Sequence, residues 1–194
     1  TIAESLDADE PKVPYAIVYN SPAPLITRLY PDRLIINVTN ICAMFCRHCL
    51  RKKDIAQKDM TYSREDIRSA LAYVAESPEI RDVLITGGDA LMLADEKIDW
   101  ILTELDRIPH VEIKRLGSRM LATLPQRVTP ELCAILKRHK PLYLNTQINH
   151  PLEINPDSDK AEQLLIEAGV VVGNQSVLLK DINTDLVVDE DLSV

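Results

Sequence analysis

Short apolar segments alternate with amphipathic helical patterns along most of the chain, and this alternation restricts the fold more than any other feature. Five segments have the length of a strand and the apolar composition of a buried one; they lie at 34–38, 83–85, 111–116, 142–144 and 170–172. Strands that are joined through helices pair in parallel, with the helices packed outside the sheet. The sequence therefore predicts an α/β fold built on a parallel sheet.

The predicted helices carry recognisable ends. Ser63, with Asp66 three residues later, has the pattern of a capping box. Thr129 and Pro130 are typical of an N-cap and the first helical position, because the N–H that proline lacks has no partner there. Gly169 follows a helix predicted from about 159 to 168 and is typical of a C-cap glycine. Apolar residues at 98, 101, 102 and 105 predict one more helix.

A loop rich in polar residues or glycine follows each predicted strand. These loops lie at 42–49, 87–89, 117–119, 147–150 and 173–175. The carboxyl ends of parallel strands lie at the same side of a sheet, where the loops form the ligand site. We therefore expect the five loops to converge on one site.

Three cysteines dominate the first of these loops. Cys42, Cys46 and Cys49 are spaced C-x3-C-x2-C, and three thiols so close in one chain cannot all pair as disulfides. A cubane iron–sulfur cluster normally takes four thiolates, so three thiolates leave one iron open to a substrate or cofactor. The alternative is a zinc site completed by His48 or His150, although structural zinc prefers paired C-x2–4-C arms.

Charge and composition argue against several classes of protein. The net charge is −8, which argues against nucleic acid as the main partner because binding to phosphates requires a basic surface. No apolar run approaches the ~20 residues that span a bilayer, and the acidic start of the chain is unlike a signal peptide. Clustered thiols then fit a reducing cytoplasm, which is the predicted location. The fourth cysteine, Cys133, lies in an amphipathic helical pattern and is predicted to fill the core.

Eight further motifs accompany the cysteine spacing. They are Tyr30-Pro-Asp-Arg33, Cys46-Arg-His-Cys49, Thr86-Gly-Gly-Asp89, Ile108-Pro-His-Val-Glu112, Gly117-Ser-Arg119, Leu124-Pro-Gln-Arg-Val-Thr-Pro130, Asn149-His-Pro151 and Gly173-Asn-Gln-Ser-Val-Leu-Leu179. In this order they resemble the lysine 2,3-aminomutase family of radical S-adenosylmethionine (SAM) enzymes, which includes glutamate 2,3-aminomutase. Each motif alone is a weak signal, but nine in register are specific.

The resemblance implies a fold, cofactors and a reaction. It implies a partial TIM-type (β/α) barrel, a [4Fe-4S] cluster on the three cysteines, SAM and pyridoxal 5′-phosphate (PLP). The implied reaction moves the α-amino group of lysine or glutamate to the β-carbon through a 5′-deoxyadenosyl radical. The implied partners are a small-molecule amino acid, an electron donor such as flavodoxin or ferredoxin, and other copies of the chain in a homo-oligomer. Two alternatives stay open: an enzyme that acts on a lysine of a translation factor, and a non-catalytic truncated paralogue that retains the iron–sulfur site.

The resemblance also implies contacts to SAM, from His48, Gly87, Gly88, Asp89, Ser118, Gln147 and Gln175. Asp89 would accept from the ammonium group of the methionine part, and His48 would lie beside the adenosyl group. Gln147 departs from the relatives, which carry histidine there. Its amide keeps hydrogen bonding but does not titrate, so an acid–base role is in doubt at that position.

Two arginines are the candidates to bind anionic groups of the substrate or a cofactor. Arg51 matches the residue that pairs with the α-carboxylate of the substrate, a bidentate task suited to guanidinium. Arg33 matches a contact to the phosphate of a cofactor. The lysine that holds PLP in the family lies beyond Leu179, and Lys180 is not that lysine.

The resemblance also divides the chain. We expect an extended lead-in segment at 1–33, a radical SAM core at 34–183 and an unassigned tail at 184–194. Five strands are predicted where the radical SAM core has six, so the barrel is expected to be incomplete in this chain.

Overall fold

The predicted parallel sheet is present in a computed structural model, which describes residues 20–55 and 58–184. Its strands lie side by side in chain order: β1 (Ile26–Thr27), β2 (Arg33–Thr39), β3 (Asp82–Gly87), β4 (Ile113–Gly117), β5 (Leu142–Thr146) and β6 (Val171–Asn174). The pairs from β2 to β6 are parallel, whereas β1 runs antiparallel to β2. Within the described ranges β1 and β6 do not pair, so the sheet is open and forms a partial barrel, as expected.

Helices occupy the connections between the parallel strands. They are α1 (Lys52–Ile55), α2 (Arg64–Ala75), α3 (Asp95–Asp106), α4 (Met120–Thr123), α5 (Pro130–Leu136) and α6 (Pro156–Glu167). Short 3-10 turns follow at Ala90–Met92, Pro125–Arg127, Lys137–His139 and Pro151–Glu153. None of the helices in the described part of the chain is long and apolar enough to cross a bilayer.

The helix ends follow from local hydrogen bonds. The capping box of α2 forms, with Ser63 accepting from the backbone of Asp66. Thr129 accepts from the N–H of Leu132 and caps α5. Helix α6 begins at Pro156, about three residues before the predicted start, because Asn155 accepts from two backbone N–H groups of its first turn.

One core holds the sheet against the helices. Alternate residues of the strands, including Leu34, Ile36, Val83, Ile85, Leu116, Leu142 and Leu144, pack with Ile67, Leu71, Ile101, Leu102, Leu132 and Leu165 from the helices. Apolar side chains buried to this extent contribute about 1.5–3 kcal/mol each relative to exposure. The strands are therefore fixed in register, and the carboxyl ends of β2 to β6 lie at one side of the molecule.

The segment before β2 contributes to this core. Ile26 of β1 is buried against it and pairs with Ile36, and Leu25 adopts a positive φ of 64° at the entry to β1. Residues 1–19 of the predicted lead-in segment lie outside the described residues, as does the predicted tail except Thr184. The predicted division of the chain stays a prediction.

Candidate functional site

The cysteine loop begins directly after β2 and opens onto a cavity of about 410 Å³. Cys42, Cys46 and Cys49 all line this cavity, and all three are free thiols. A turn brings the last two together, since the N–H of Cys49 donates to the carbonyl of Cys46 at 3.1 Å. The loop thus presents its three sulfurs around a single space.

Burial raises the pKa of two of these thiols. It raises the pKa of Cys42 to about 12, with a further contribution from the charge of Asp89. Burial also raises the pKa of Cys49, although the N–H of Arg51 opposes the change. A ligating cysteine must lose its proton, so occupation of this site by a metal group releases protons.

The alternative of a zinc site needs His48 or His150 beside the three thiols, and of these two only His48 lines the cavity. Among residues 20–55 and 58–184, no three His, Cys, Asp or Glu side chains are grouped closely enough to hold one metal ion. His150 caps the turn Pro151–Glu153 by accepting from the N–H of Leu152, and it does not line the cavity. Three sulfurs around a cavity suit an iron–sulfur cluster, whose irons take one thiolate each.

Gly87 and Gly88 let the second loop lie against the cysteine loop. The N–H of Gly88 donates to the carbonyl of Thr39 at 2.6 Å. A Cβ on Gly88 would lie 2.3 Å from the carbonyl oxygen of Ile41, and one on Gly87 would lie 2.4 Å from that of Thr39. Gly87 also has a φ of 121°, which side chains rarely allow. Both glycines are therefore required by backbone contact between the loops.

Asp89 joins the second loop to the third. Its two carboxylate oxygens accept from the backbone N–H groups of Leu91 at 2.9 Å and Arg119 at 2.7 Å. Burial raises the pKa of this carboxyl, while the hydroxyl of Ser118 and the two N–H groups lower it in part. Asp89 is 5 % exposed, and the loops on both sides of it depend on its acceptors.

The remaining loops bring further polar side chains to the cavity. His48 Nε2 lies 3.4 Å from Gln147 Oε1, which connects the first loop to the fourth. The N–H of Gln175 donates to the carbonyl of Thr146, and its side-chain oxygen accepts from Asn145. All five loops therefore meet, as the strand order predicted.

Arg51 lies where this cavity adjoins a second one of about 270 Å³. It lines both, together with Ile55 and Gly87, and its guanidinium donates to Asn37 Oδ1. The second cavity is bordered by β1 and by the segment before it. Arg51 can thus present its charge to either space.

Arg33 is the one predicted site residue that the structure does not bring to the cavity. It is the first residue of β2, so the length of that strand separates it from the cysteine loop. Its guanidinium pairs with Asp32 at 3.3 Å and lies over the ring of Tyr30. The amino-terminal end of a parallel strand points away from the ligand side of such a sheet. The predicted contact of Arg33 to the phosphate of a cofactor stays a prediction.

Arg119 is part of the site and Glu153 pairs with it, and neither was named as a site residue from the sequence. Arg119 lines the cavity and forms an ion pair with Glu153 at 2.6 Å. Its place in the loop after β4, directly following Ser118, was an available signal. Cys133, in contrast, lies in α5 within the core, 6 % exposed, and does not line the cavity.

A family model described as the radical SAM superfamily matches residues 36–171. The chain belongs to the radical SAM superfamily. The match runs from β2, ahead of the cysteine loop, to the first residue of β6. The matched residues therefore include all three thiols and the strands that position them.

The chain is also similar to 2,3-aminomutases. It is 52 % identical over 185 residues to glutamate 2,3-aminomutase of Clostridioides difficile, which is 95 % of this chain and 44 % of that protein. It is 48 % identical over 164 residues to L-lysine 2,3-aminomutase of Fusobacterium nucleatum, and 49 % identical to that of Clostridium subterminale. Each of these two matches covers 84 % of this chain and 39 % of the relative. The chain thus spans less than half the length of these relatives.

Proposed function

We propose that the protein is a radical SAM, PLP-dependent amino-acid 2,3-aminomutase that acts on lysine or glutamate. The observation that carries this proposal is the convergence of three thiols and four further polar loops on one cavity, in a chain similar to both kinds of aminomutase. When bound there, the cluster and SAM supply the 5′-deoxyadenosyl radical that removes a hydrogen atom from the substrate.

The three cysteines hold the cluster in this proposal. Cys42, Cys46 and Cys49 each ligate one iron, which leaves one iron without a protein ligand. Burial holds the pKa of Cys42 and of Cys49 above the ordinary value, so both thiols would have to lose their protons in order to hold a cluster.

The polar side chains of the other loops hold SAM. Each oxygen of Asp89 accepts from one backbone N–H, and a carboxylate has about four acceptor positions, so capacity remains for the ammonium group of SAM. His48 and Gln147 contact the adenosyl side, and their mutual contact keeps the two loops together. Ser118 and Gln175 contribute further polar contacts.

Arg51 anchors the substrate. Its planar guanidinium matches an α-carboxylate in a bidentate pair, and its place between the two cavities puts that anchor beside the thiols. No lysine lines either cavity among the described residues, and Arg33 lies at the other end of β2. The contact of Arg33 to a cofactor phosphate stays part of the proposal, and PLP enters it through the similarity to aminomutases.

The wider proposal concerns organisation and partners. It assigns a lead-in segment to 1–33, the radical SAM core to 34–183 and a tail to 184–194. The protein is a cytoplasmic homo-oligomer that takes its electron from a donor such as flavodoxin or ferredoxin.

Anaerobic reconstitution tests the cluster assignment. The protein is expected to bind four irons and to cleave SAM to 5′-deoxyadenosine and methionine when reduced. Replacement of Cys42, Cys46 or Cys49 by Ala should abolish cleavage, while Cys133→Ala should leave the iron content unchanged. Loss of the cluster from Cys133→Ala would show that the ligand set is wrong, and a wild-type protein that binds iron but never cleaves SAM would favour a non-catalytic paralogue.

Product analysis tests the reaction. Reduced protein with SAM and PLP is incubated with L-lysine or L-glutamate, and the β-amino acid is measured by mass spectrometry. Arg51→Lys should raise KM and lower kcat while SAM affinity stays constant, because the charge remains but the fork geometry is lost. Activity on neither amino acid, with uncoupled SAM cleavage, would favour the relative that acts on a protein-bound lysine.

A further inference from the structure

Arg119 places a cationic hydrogen-bond donor on one of the three sulfurs. Its Nη1 donates to Cys46 Sγ at 3.1 Å and lies 3.8 Å from the sulfur of Met44. Its Nε donates to the carbonyl of Gln147 at 3.0 Å, and its Nη2 donates to Glu153 Oε1 at 2.6 Å. The side chain is 15 % exposed, so water screens its charge only in part.

Other groups of the protein fix the position of this guanidinium. Glu153 is itself fixed, because its second oxygen accepts from the N–H of Asn149 at 2.9 Å. The backbone of Arg119 is fixed as well, through the bond from its N–H to Asp89. A planar fork with Nε and Nη2 both occupied has little freedom left, and its remaining nitrogen points at the sulfur.

A purely structural role explains only part of this arrangement. The bonds to Gln147 and Glu153 already join the third loop to the fourth loop and the turn after it. They do not require a donor aimed at a thiol that lines the cavity. Cys49, by comparison, receives a neutral backbone N–H from Arg51 at 3.4 Å. The charges of Arg51 and Lys52 also act on Cys49, so Cys46 differs from it in receiving its hydrogen bond directly from a guanidinium.

We propose that Arg119 raises the reduction potential of the cluster that Cys46 ligates, and that Glu153 offsets part of this effect. The inference rests on the proposed function, since it needs the cluster. Reduction adds one electron, supplied by a low-potential one-electron donor, and makes the cluster more negative. Hydrogen bonds to ligating sulfurs and nearby positive charge stabilise that reduced form. Arg119 thus acts on the cluster through its ligand and sets how readily the donor can reduce it.

The two partners give opposite predictions. In Arg119→Gln the equilibrium constant for reduction should fall about tenfold, which is 59 mV for one electron. In Glu153→Gln the guanidinium stays but its counter-charge is lost, so the potential should rise. Arg119→Lys keeps the charge without the fork and should fall between wild type and Arg119→Gln. A merely structural pair would move both potentials in the same direction or not at all.

The measurement is a dithionite titration of the anaerobically reconstituted protein, followed by the electron paramagnetic resonance signal of the reduced cluster, with iron counted in every sample. Arg107→Gln, which removes an exposed arginine paired with Glu104, is the control and should leave the potential unchanged. If Arg119→Gln loses iron, the reduction potentials of Glu153→Gln and Arg119→Lys still show in which direction the charge of Arg119 shifts the potential. Equal potentials in loaded variants would overturn the inference alone, whereas a wild-type protein without a four-iron cluster would overturn the proposed function as well.

Discussion

Charged side chains near the amino ends of the strands pair with one another, whereas those at the carboxyl ends face the large cavity. Asp82 binds Arg115 at 2.8 Å, and Lys114 pairs with Asp106. At the carboxyl ends, Asp89 and Arg119 also have protein partners, but both line the cavity. The same residue types thus contribute to stability at one end and remain accessible to a ligand at the other.

His139 makes the contrast concrete. Its ring is 5 % exposed and lies between two carboxylates, with Nδ1 2.6 Å from Asp106 and Nε2 2.8 Å from Asp99. Every side-chain nitrogen of this buried imidazole therefore has an acidic partner, which leaves it no free group for a ligand. His48 lines the cavity, and its Nε2 makes a longer contact of 3.4 Å to Gln147 Oε1. The hydrogen-bond partners thus distinguish His48 at the cavity from His139 in the packed part of the fold.

The largest expected effect comes from a substitution among the paired charges near the amino ends of the strands. Asp106→Ala leaves the buried Lys114 and one nitrogen of His139 without an acceptor. We expect a loss of about 3 kcal/mol in the free energy of unfolding, the low end for a broken buried pair, since Asp106 stays partly exposed. Urea unfolding at constant pH measures it. The folded variant should bind as much iron as wild type, and a parallel loss of iron would show that the two ends are coupled.

The next effect tests the close approach of the loops. In Gly88→Ala the new Cβ would meet the backbone of Ile41 at 2.3 Å, so the loops must separate, at about 2 kcal/mol of stability. Gly173→Ala is the matched control, because nothing lies within 4 Å of a Cβ there. Urea unfolding of both variants, followed by circular dichroism, should find the control within about 0.5 kcal/mol of wild type. Equal stability of the two variants would contradict the role assigned to Gly88.

A smaller effect is expected from Asp89→Asn at the ligand end. The amide keeps one acceptor but loses the charge, so SAM affinity should fall by about 1.5 kcal/mol, roughly tenfold, with the cluster retained. Isothermal calorimetry on the reconstituted protein measures it. Asp106→Ala is the comparison, and its SAM affinity should equal that of wild type. Unchanged SAM affinity in Asp89→Asn would show that the carboxylate serves only to join the second loop to the third.

The smallest effect concerns pH. The hydrogen bond from His139 is the main cause that lowers the pKa of Asp99, and Arg138 adds to it. A lowered folded-state pKa gives stability that is present above the unfolded value, about 3.9, and is lost as the pH falls through the folded one. At about pH 5.5, Asp99→Asn should be less stable by under about 1 kcal/mol. The difference should shrink as the pH falls below about 3.9 and vanish once Asp99 is protonated in the folded protein; a difference that persists in that range would contradict the assignment.

Most of the sheet could be predicted because apolar runs and helix caps are local signals. All five predicted strands form, and the predicted start at 111 gives way to Ile113 because the carbonyl of Arg81 accepts from Glu112 and Ile113 there. Strand β1 was missed. Two residues in a proline-rich segment carry no periodicity, and their antiparallel pairing with Ile35 and Ile36 depends on tertiary contact.

The site could be predicted as far as strand ends determine it. Loops after parallel strands converge, and for that reason Asp89, Gln147 and Gln175 lie together. Arg33 lies at the start of its strand, so the strand-end rule places it at the opposite side, and its predicted contact to a phosphate came from the resemblance alone. Sequence position could not single out Arg119, whose orientation depends on Glu153, 34 residues later.

Strand order has a consequence for synthesis of the chain. Each strand pairs with the strand that precedes it, from β1 to β6. Chains emerge from the ribosome amino terminus first, and domains fold in that direction. A newly released strand and helix therefore find their pairing edge already in place, without waiting for a distant segment. The cysteine loop, which follows the second strand, can settle against Gly88 while the later loops are still being translated.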